Sequence, residues 1–360
     1  MTMRIFYHRI LPFLAITLLC GSAQGQWDRG VTFDDSDMAF DLNEAKSFQF
    51  YPTYDQYVRM MQDYATSYPD ICRLDTFGTS EQGRLLLALK ISDQVEVDEP
   101  EADFLYSSTM HGNEILGYVL LLRLADSLLR GYGIENEVTH LVDQLQIWIN
   151  PLANPDGSFS ADNDLSLQHS FRRNYNDIDL NRDFPDPSQG EADDPTGRAK
   201  ETRDMMEFLR EHRFTLSANI HTGDEVVNYP WDYQPHLHVD DDWYRFISRE
   251  YADEAMAVEP DYMFGWPDGG ITNGYAWYQA LGTRQDYVNY YLGGREVTLE
   301  LFEEYLLPAA QLEAYWDINE RSLFNYMAQS LYGIRGSITD LETGDPIGAR
   351  IEVLDHDSAY

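Results

Sequence analysis

Residues 107–114 have the sequence SSTMHGNE and run directly into an apolar segment, ILGYVLLLRLADSLL, at residues 115–129. The preceding Phe104-Leu105-Tyr106 is typical of the end of a buried strand. The apolar segment lacks strict alternation and is long enough to be a helix that packs on a sheet. The sequence therefore predicts a strand-to-helix turn at SSTMHGNE, which is the usual place for a functional site in an open α/β sheet.

His111 and Glu114 lie three residues apart in this predicted turn. An imidazole and a carboxylate at that spacing can share a Zn²⁺ ion if a third ligand comes from elsewhere and a fourth position stays open. The simpler explanation is a hydrogen-bonded His at a strand end, followed by a Glu in the first helical turn, where the helix dipole favours a carboxylate. The pair alone leaves both interpretations open.

The composition excludes some classes of function. The chain has 360 residues, of which 43% are hydrophobic and 14% aromatic, and this is typical of a globular protein. Its formal net charge is −37, so we expect no nucleic-acid partner, because phosphate binding needs a basic face. The cations are almost all arginines, and an acidic, lysine-poor surface suggests the hypothesis of a high-salt habitat.

The first 25 residues are predicted to be a signal peptide. A positively charged start precedes the apolar stretch 10–20, and small residues follow at 21–25. Cys20 would leave with this peptide, so Cys72 would be the one remaining cysteine and no intrachain disulfide could form. We expect a secreted or periplasmic monomer without a transmembrane segment. A lipid anchor is not expected, because the leucine before Cys20 fits a lipoprotein signal poorly.

Strands and helices alternate along most of the chain. Residues 26–47 are acidic with little apolar periodicity, and we interpret them as a linker or pro-region. The polar loop 156–197 is long enough to indicate a functional role. The alternation predicts an α/β fold, with a mixed, largely parallel twisted sheet and helices on both faces. Strands are expected at 71–77, 85–91, 104–106, 146–149, 215–220 and 297–301, and helices at 54–69, 115–129, 202–209, 241–256 and 309–329.

The pattern changes after Tyr332. Residues 333–340 and 349–354 are predicted to be two short strands, with a turn at 343–346 between them. Two strands cannot bury a core of their own. We therefore interpret 331–360 as the beginning of an incomplete, partial small β-domain.

Further candidate residues follow other predicted strands. His221 ends the strand 215–220, and with His111 and Glu114 it would make a His₂Glu zinc set with a position left for water. Glu300 ends the strand 297–301, where apolar surroundings would raise its pKa into a range useful for a base. The long polar loop contributes Arg172, Asn181 and Arg182.

Together these motifs resemble the zinc metallocarboxypeptidases, and most of all the regulatory branch that contains carboxypeptidases N, E, D and M. The resemblance covers about residues 50–330 and predicts a catalytic domain at 48–330. Residues 331–360 resemble the opening strands of the transthyretin-like domain of that branch. The matching motifs, in family order, are His111-Gly112-Asn113-Glu114, Asn154-Pro155-Asp156-Gly157, Asp179-Leu180-Asn181-Arg182, Asn219-Ile220-His221, Asn228-Tyr229-Pro230 and Glu300.

The resemblance implies a role for each matching residue at the metal. His111, Glu114 and His221 would bind one zinc ion. Glu300 would be the general base that activates the zinc-bound water and later protonates the leaving amine. Asp179 would orient a zinc-binding histidine.

The resemblance also implies residues that hold the substrate. Arg172, favoured over its neighbour Arg173 by the Arg-x-Asn pattern, would polarise the scissile carbonyl and stabilise the oxyanion. Asn181 and Arg182 would clamp the terminal carboxylate of the peptide, and Tyr278 would close over the substrate.

The side-chain pocket of that branch binds basic residues. Asp232 matches its acidic residue, and Gln285 matches its other polar residue. A buried carboxylate in a pocket favours a guanidinium or ammonium partner, because an unpaired buried charge is costly. A C-terminal Arg or Lys is therefore the expected leaving residue. Arg284 leaves this open, because a cation facing inwards could neutralise Asp232.

The implied function is a secreted zinc exopeptidase that removes one residue from the C-terminus of peptides or proteins. A carboxypeptidase that prefers apolar C-termini or cell-wall peptides is an alternative. An inactive, peptide-binding relative is another, although such relatives typically lose a zinc ligand or the base. This chain keeps His111, Glu114, His221 and Glu300.

Overall fold

An eight-stranded mixed sheet forms the centre of the computed structural model, which describes residues 32–160, 163–334, 336, 338–349, 351–352 and 358–359. Its strands are β1 (Cys72–Thr79), β2 (Leu85–Ile91), β3 (Ala102–Ser108), β4 (Leu145–Asn150), β5 (Leu216–His221), β6 (Asp224–Tyr229), β7 (Ile271–Asn273) and β8 (Arg295–Phe302). Their order across the sheet is β1-β2-β4-β3-β5-β8-β6-β7. A separate pair consists of β9 (Ile351–Glu352) and β10 (Ser358–Ala359).

Ten α-helices are assigned within the described residues. The longer ones are α2 (Tyr54–Ser67), α3 (Leu116–Gly131), α6 (Lys200–His212), α7 (Asp241–Val258) and α10 (Leu312–Ala328). The shorter ones are α1 (Leu42–Ala45), α4 (Asn136–Val142), α5 (Pro155–Ser158), α8 (Gly274–Trp277) and α9 (Arg284–Tyr287), and a π-helical turn at Val288–Leu292 follows α9. None of the helices in the described ranges is long and apolar enough to cross a membrane.

The four central strands are parallel. β3 lies between β4 and β5, β8 pairs with the other side of β5, and all three pairings are parallel. The strands β1, β2 and β6 add antiparallel pairings towards the edges. The prediction of a mixed, largely parallel sheet is therefore confirmed.

Alternate residues of the strands pack into two cores, one on each face of the sheet. Phe104 and Tyr106 belong to the larger core, which also contains residues of α2, α3, α7 and α10. Leu105 belongs to the smaller core, with residues of α6. Because successive strand residues point to opposite faces, these two sets show that helices cover both sides.

The helix α3 follows the SSTMHGNE turn as the sequence predicted. It begins at Leu116 and is buried along most of its length. A side chain at Gly117 would place its Cβ atom 2.6 Å from Cβ of Ser108 and 2.7 Å from Cγ2 of Ile220. The glycine thus lets the first turn of α3 lie directly on the ends of β3 and β5.

Several elements differ from the sequence-based expectation. The elements β6, β7 and α4 were not expected. The strand expected at 333–340 is reduced, among its described residues, to a single bridge between Thr339 and Pro346. Of the strand expected at 349–354, Ile351–Glu352 is a strand, and residues 350, 353 and 354 lie outside the described part of the chain. The small β-domain therefore stays a prediction.

The described part of the expected N-terminal linker is not a linker. Phe33, Ala45 and Phe48 are buried in the larger core. Asp37 accepts a buried hydrogen bond of 2.7 Å from the backbone N–H of Ala309. The apolar residues of this segment are too widely spaced to show a helical or strand period, although tertiary contacts bury them. The signal peptide expected at 1–25 lies outside the described residues.

Replacing Asp37 by Ala should destabilise the fold, because the buried N–H of Ala309 would lose its acceptor. The expected loss is about 1–3 kcal/mol in the free energy of unfolding. Denaturant titration measures it, with the exposed Asp70→Ala as the matched control, for which the change should stay within about 0.5 kcal/mol. Equal effects of the two variants would show that the N-terminal segment does not contribute to the core.

Candidate metal centre and active site

His111, Glu114 and His221 form a buried cluster at the carboxyl ends of β3 and β5. Glu114 Oε1 lies 2.8 Å from His111 Nδ1, and its Oε2 lies 2.7 Å from His221 Nδ1. The two Nδ1 atoms are 3.0 Å apart. The three residues come together because β3 and β5 are parallel neighbours, with Ser108 opposite Ile220 in the register.

Gly112 explains why the turn lies against the Asn154-Pro155-Asp156-Gly157 motif. A Cβ atom at Gly112 would lie 2.1 Å from the carbonyl carbon of Gly157. Asn154 accepts a hydrogen bond from Gly157 N and donates one to Met110 O. The second motif is thus a support for the first.

The outer nitrogens of the two histidines allow a test of whether zinc fits this cluster. If both Nδ1 atoms bind a metal, each Nε2 atom must carry the proton and donate it. His111 Nε2 lies 3.1 Å from Asp179 Oδ1, which can accept it. His221 Nε2 lies 2.6 Å from the amide of Asn219, whose Oδ1 is buried without a partner among the described residues. With its amide turned by 180°, Asn219 would accept this proton.

The electrostatics of the cluster also suit a metal. Burial lowers the pKa of His221 to about 4, so this imidazole is neutral, as a ligand must be. Burial opposes ionisation of Glu114, but His111 and His221 together lower its pKa below the ordinary value. Burial also opposes the charge of His111, whose pKa the Glu114 carboxylate nevertheless raises. Two imidazoles and a carboxylate fit a zinc site with one open position.

Asp179 and Arg172 lie next to the cluster. Asp179 Oδ2 accepts a 2.9 Å hydrogen bond from Arg172 Nε, and Arg172 Nη1 lies 3.3 Å from Glu114 Oε1. Burial raises the pKa of Asp179, but the contacts with His111 and Arg172 outweigh it and the pKa falls below its usual range. The Arg172 side chain is 37% exposed, so part of its guanidinium is open to a substrate.

Glu300 lies in β8, directly opposite His221 in the parallel register. Its Oε2 atom is buried, and no described residue forms a hydrogen bond with it. Burial, together with the charges of Glu114 and Asp224, holds the pKa of Glu300 well above its usual range, although Arg172 acts in the opposite direction. Glu300 thus places a buried carboxyl oxygen beside the His111–Glu114–His221 cluster.

Asn181, Arg182 and Tyr278 form a second group. Arg182 donates a 2.7 Å hydrogen bond to the carbonyl of Asn181, and its Cζ lies 6.0 Å from the centre of the Tyr278 ring. Asn181 Oδ1 accepts a 3.0 Å hydrogen bond from the backbone N–H of Arg284. The Tyr278 side chain is 48% exposed.

Asp232 and Gln285 are in direct contact. Asp232 Oδ1 accepts hydrogen bonds of 3.1 Å from Gln285 Nε2 and 3.1 Å from Asn228 Nδ2, and its Oδ2 accepts 2.8 Å from the Thr283 hydroxyl. Asp232 is only 4% exposed, and burial raises its pKa. The partners here are neutral donors, which orient the carboxylate without cancelling its charge.

Arg284 is paired with Glu296. Its Nε and Nη2 atoms lie 3.0 Å and 2.9 Å from the two oxygens of the Glu296 carboxylate, and both side chains are fully buried. Ser217 donates a further hydrogen bond of 2.7 Å to Glu296. The expected ambiguity at Arg284 is thereby resolved, because its charge is matched by Glu296 and not by Asp232.

Sequence reasoning named Asn219 as part of a motif without giving it a role, and it missed Thr283, Asp286 and Glu296 as residues of this region. The signal that could have found two of them is the polar run Thr283-Arg284-Gln285-Asp286, which is buried although all four residues are polar. Glu296 is the second residue of β8, and its pairing with Arg284 is visible only in three dimensions.

Comparisons with known proteins agree with this geometry. A family model described as zinc carboxypeptidase matches residues 57–322. Carboxypeptidase SOL1 of Arabidopsis thaliana is 35% identical over 310 residues, which are 84% of this chain and 61% of that protein. Carboxypeptidase D of Homo sapiens is 36% identical over 297 residues, 79% of this chain and 21% of that protein. The chain thus spans about three fifths of the length of carboxypeptidase SOL1 and about one fifth of the length of carboxypeptidase D.

A solved structure shows the same fold. Thrombin activatable fibrinolysis inhibitor superposes with a TM-score of 0.71 at 17% sequence identity, covering 83% of this chain and 79% of that chain.

We expect the purified chain to contain about one zinc ion and His221→Ala to lose it, because two remaining protein ligands do not make a stable site. Metal analysis of the protein after dialysis measures this, with the exposed His140→Ala as the control. Zinc should also raise the thermal midpoint of the wild type and leave that of His221→Ala unchanged. Full zinc content in His221→Ala would exclude this centre.

Proposed function

The chain belongs to the zinc carboxypeptidase family, and on that premise we propose that it hydrolyses the last peptide bond of peptides or proteins and prefers a C-terminal Arg or Lys. The observation that carries the proposal is the arrangement of Glu300 beside the buried His111–Glu114–His221 cluster, with the buried Asp232 close enough for its charge to act on Glu300. The position of Glu300 supports hydrolysis, and the buried Asp232 supports the preference for a basic leaving residue.

The mechanism assigns each step to a residue of the site. His111, Glu114 and His221 would hold a zinc ion, which would supply Lewis-acid chemistry at this site. Glu300 takes the proton of the attacking water and then gives it to the leaving amine. A carboxyl group at this place can serve both transfers, because it accepts a proton as the carboxylate and donates it as the acid.

Arg172 would stabilise the charge that develops on the carbonyl oxygen. Its guanidinium is oriented by Asp179 and remains partly exposed, so it can donate to an oxyanion without reorganisation. Arg182 and Asn181 would bind the terminal carboxylate of the substrate, for which an arginine fork is well matched. Tyr278 lies against Arg182 and would cover the bound residue.

The environment of Asp232 supports the preference for a basic residue. This carboxylate is buried among neutral donors, and Arg284, the nearest candidate to neutralise it by sequence, pairs with Glu296. A guanidinium or ammonium group entering the pocket would compensate the buried charge, whereas an apolar side chain would leave it unpaired. An acidic side chain would be repelled.

The proposal extends to export and domain organisation. We propose that residues 1–25 direct the chain out of the cytoplasm, that residues 48–330 are the catalytic domain and that 331–360 begin a transthyretin-like domain. The packing of residues 33–48 on the core supports moving the start of the domain to about residue 32. A monomer is proposed.

Glu300→Gln should lower kcat by about 10²–10⁴-fold, because the amide cannot accept the proton of water. Release of the C-terminal residue from a peptide ending in Arg measures the rate, with zinc content determined in parallel. A chelator should abolish the wild-type activity. Chelator-insensitive release, or an unchanged rate in a zinc-loaded Glu300→Gln variant, would contradict the mechanism.

Asp232→Asn should remove the preference for basic residues while zinc stays bound. Otherwise identical peptides ending in Arg, Lys, Phe or Glu give the ratios of kcat/KM. We expect the Arg-to-Phe ratio to fall by about a hundredfold or more, since truncating one partner of a buried charge pair costs several kcal/mol. The exposed Asp261→Asn is the matched control. A wild type that prefers Phe would overturn the specificity and leave the hydrolytic mechanism untouched.

A further inference from the structure

A second buried carboxyl group, Asp286, lies next to Asp232. Its Oδ1 atom accepts a 3.0 Å hydrogen bond from the backbone N–H of Asp232. Its Oδ2 atom is buried and has no hydrogen-bond partner in the part of the chain that the structure describes. Thr283 joins the two acids, because its hydroxyl donates to Asp232 Oδ2 at 2.8 Å and accepts from Asp286 N at 3.3 Å.

The pocket therefore contains two acids whose charges are not matched within it. Arg182 is the cation that lowers the pKa of Asp232, and the proposed function assigns this arginine to the substrate carboxylate. Arg284 is committed to Glu296. The titratable and charged groups that act on the two acids are Arg182 from the turn Leu180–Arg182, Tyr233 from the loop after β6, Tyr278, and Glu296 and Glu300 from β8.

Two like charges that are both buried oppose each other's ionisation. Burial and the charge of Asp232 hold the pKa of Asp286 well above its usual range, and burial raises that of Asp232 as well. The two acids then titrate as a pair, and the pair keeps a proton at pH values where an exposed carboxyl group has lost it.

We propose that Asp286 is a positioning residue of the specificity pocket, and that Asp232 and Asp286 retain one proton between them until a basic C-terminal side chain enters and displaces it to solvent. This inference rests on the proposed preference for Arg or Lys. Asp286 acts through Asp232, whose backbone it holds and whose charge it controls. No covalent bond changes, and the incoming cation replaces the charge of the departing proton.

The pH dependence follows from the sign of this exchange. A cation binds best to the doubly ionised pair, so the affinity for a basic residue rises with pH, by at most tenfold per pH unit for one proton. It levels off once the free pair is ionised. A substrate ending in Phe exchanges no such proton, so its KM should lack this dependence. The effect lies in KM, whereas proton transfer by Glu300 governs kcat.

The variant Asp286→Asn separates this role from a merely structural one. Asn keeps an oxygen that accepts from Asp232 N but removes the like charge, so Asp232 ionises at lower pH. The midpoint of 1/KM against pH for an Arg-ended peptide should move down by about one pH unit or more. The variant should bind this peptide more tightly than the wild type in acid and no more tightly in alkali, with kcat changed less than about threefold. Zinc content and thermal midpoint are measured alongside.

Proton release can also be counted directly on the zinc-loaded wild type. Calorimetric titration with free L-arginine, in buffers of different ionisation enthalpy, should show up to one proton released per ligand bound. L-norleucine should release none. This measurement stands even if Asp286→Asn does not fold.

Three results would overturn the inference: a wild-type KM for Arg-ended peptides that is flat between about pH 5 and 9, a variant that is weaker by the same factor at every pH, or L-arginine binding without proton release. Each is distinct from failure of the proposed function, which would appear as no preference for basic residues at any pH.

Discussion

The parallel pairing of β3, β5 and β8 is the constraint on which the site depends. These strands end at one edge of the sheet, so residues separated by almost two hundred positions meet there. The ladder places His221 opposite Glu300, and the turn after β3 adds His111 and Glu114. A shift of one residue in any ladder would turn the site residues of that strand to the other face. Backbone hydrogen bonds thus fix the geometry that the motifs alone leave open.

Buried charge is handled in three different ways around this edge. Glu114 is surrounded by two imidazoles that can share a metal with it. Glu296 is neutralised by a bidentate arginine and a serine hydroxyl. Asp232 and Asp286 receive hydrogen bonds from neutral groups, which do not neutralise the two carboxylates. Because an uncompensated buried charge is costly, the third arrangement is the one suited to recognising a ligand.

Much of this arrangement could be predicted from the sequence. The elements and contacts that could not be predicted are short, begin with charged residues or depend on residues distant in the chain. The strand ends that carry His111 and His221, and the helix α3, follow from apolar runs whose lengths match their elements. β6 was missed because it begins with Asp224 and Glu225, and β7 because it has only three residues. The direction of the Arg284 side chain depends on Glu296, twelve residues away in the chain. The burial of Asp37 accompanies its hydrogen bond with Ala309, which lies 272 positions later in the chain.

The contacts between the N-terminal segment and residues 307–309 have a consequence for the order in which the chain folds. Asp37 receives the N–H of Ala309, 272 positions later, and the Tyr51 hydroxyl donates to the carbonyl of Leu307 across 256 positions. The earliest synthesised part of the described chain is therefore among the last to find its partners, since such contacts close the longest loops. A nascent chain that still lacks Leu307–Ala309 leaves Asp37 and Tyr51 without these hydrogen-bond partners. The core is therefore completed only after Leu307–Ala309 have been synthesised.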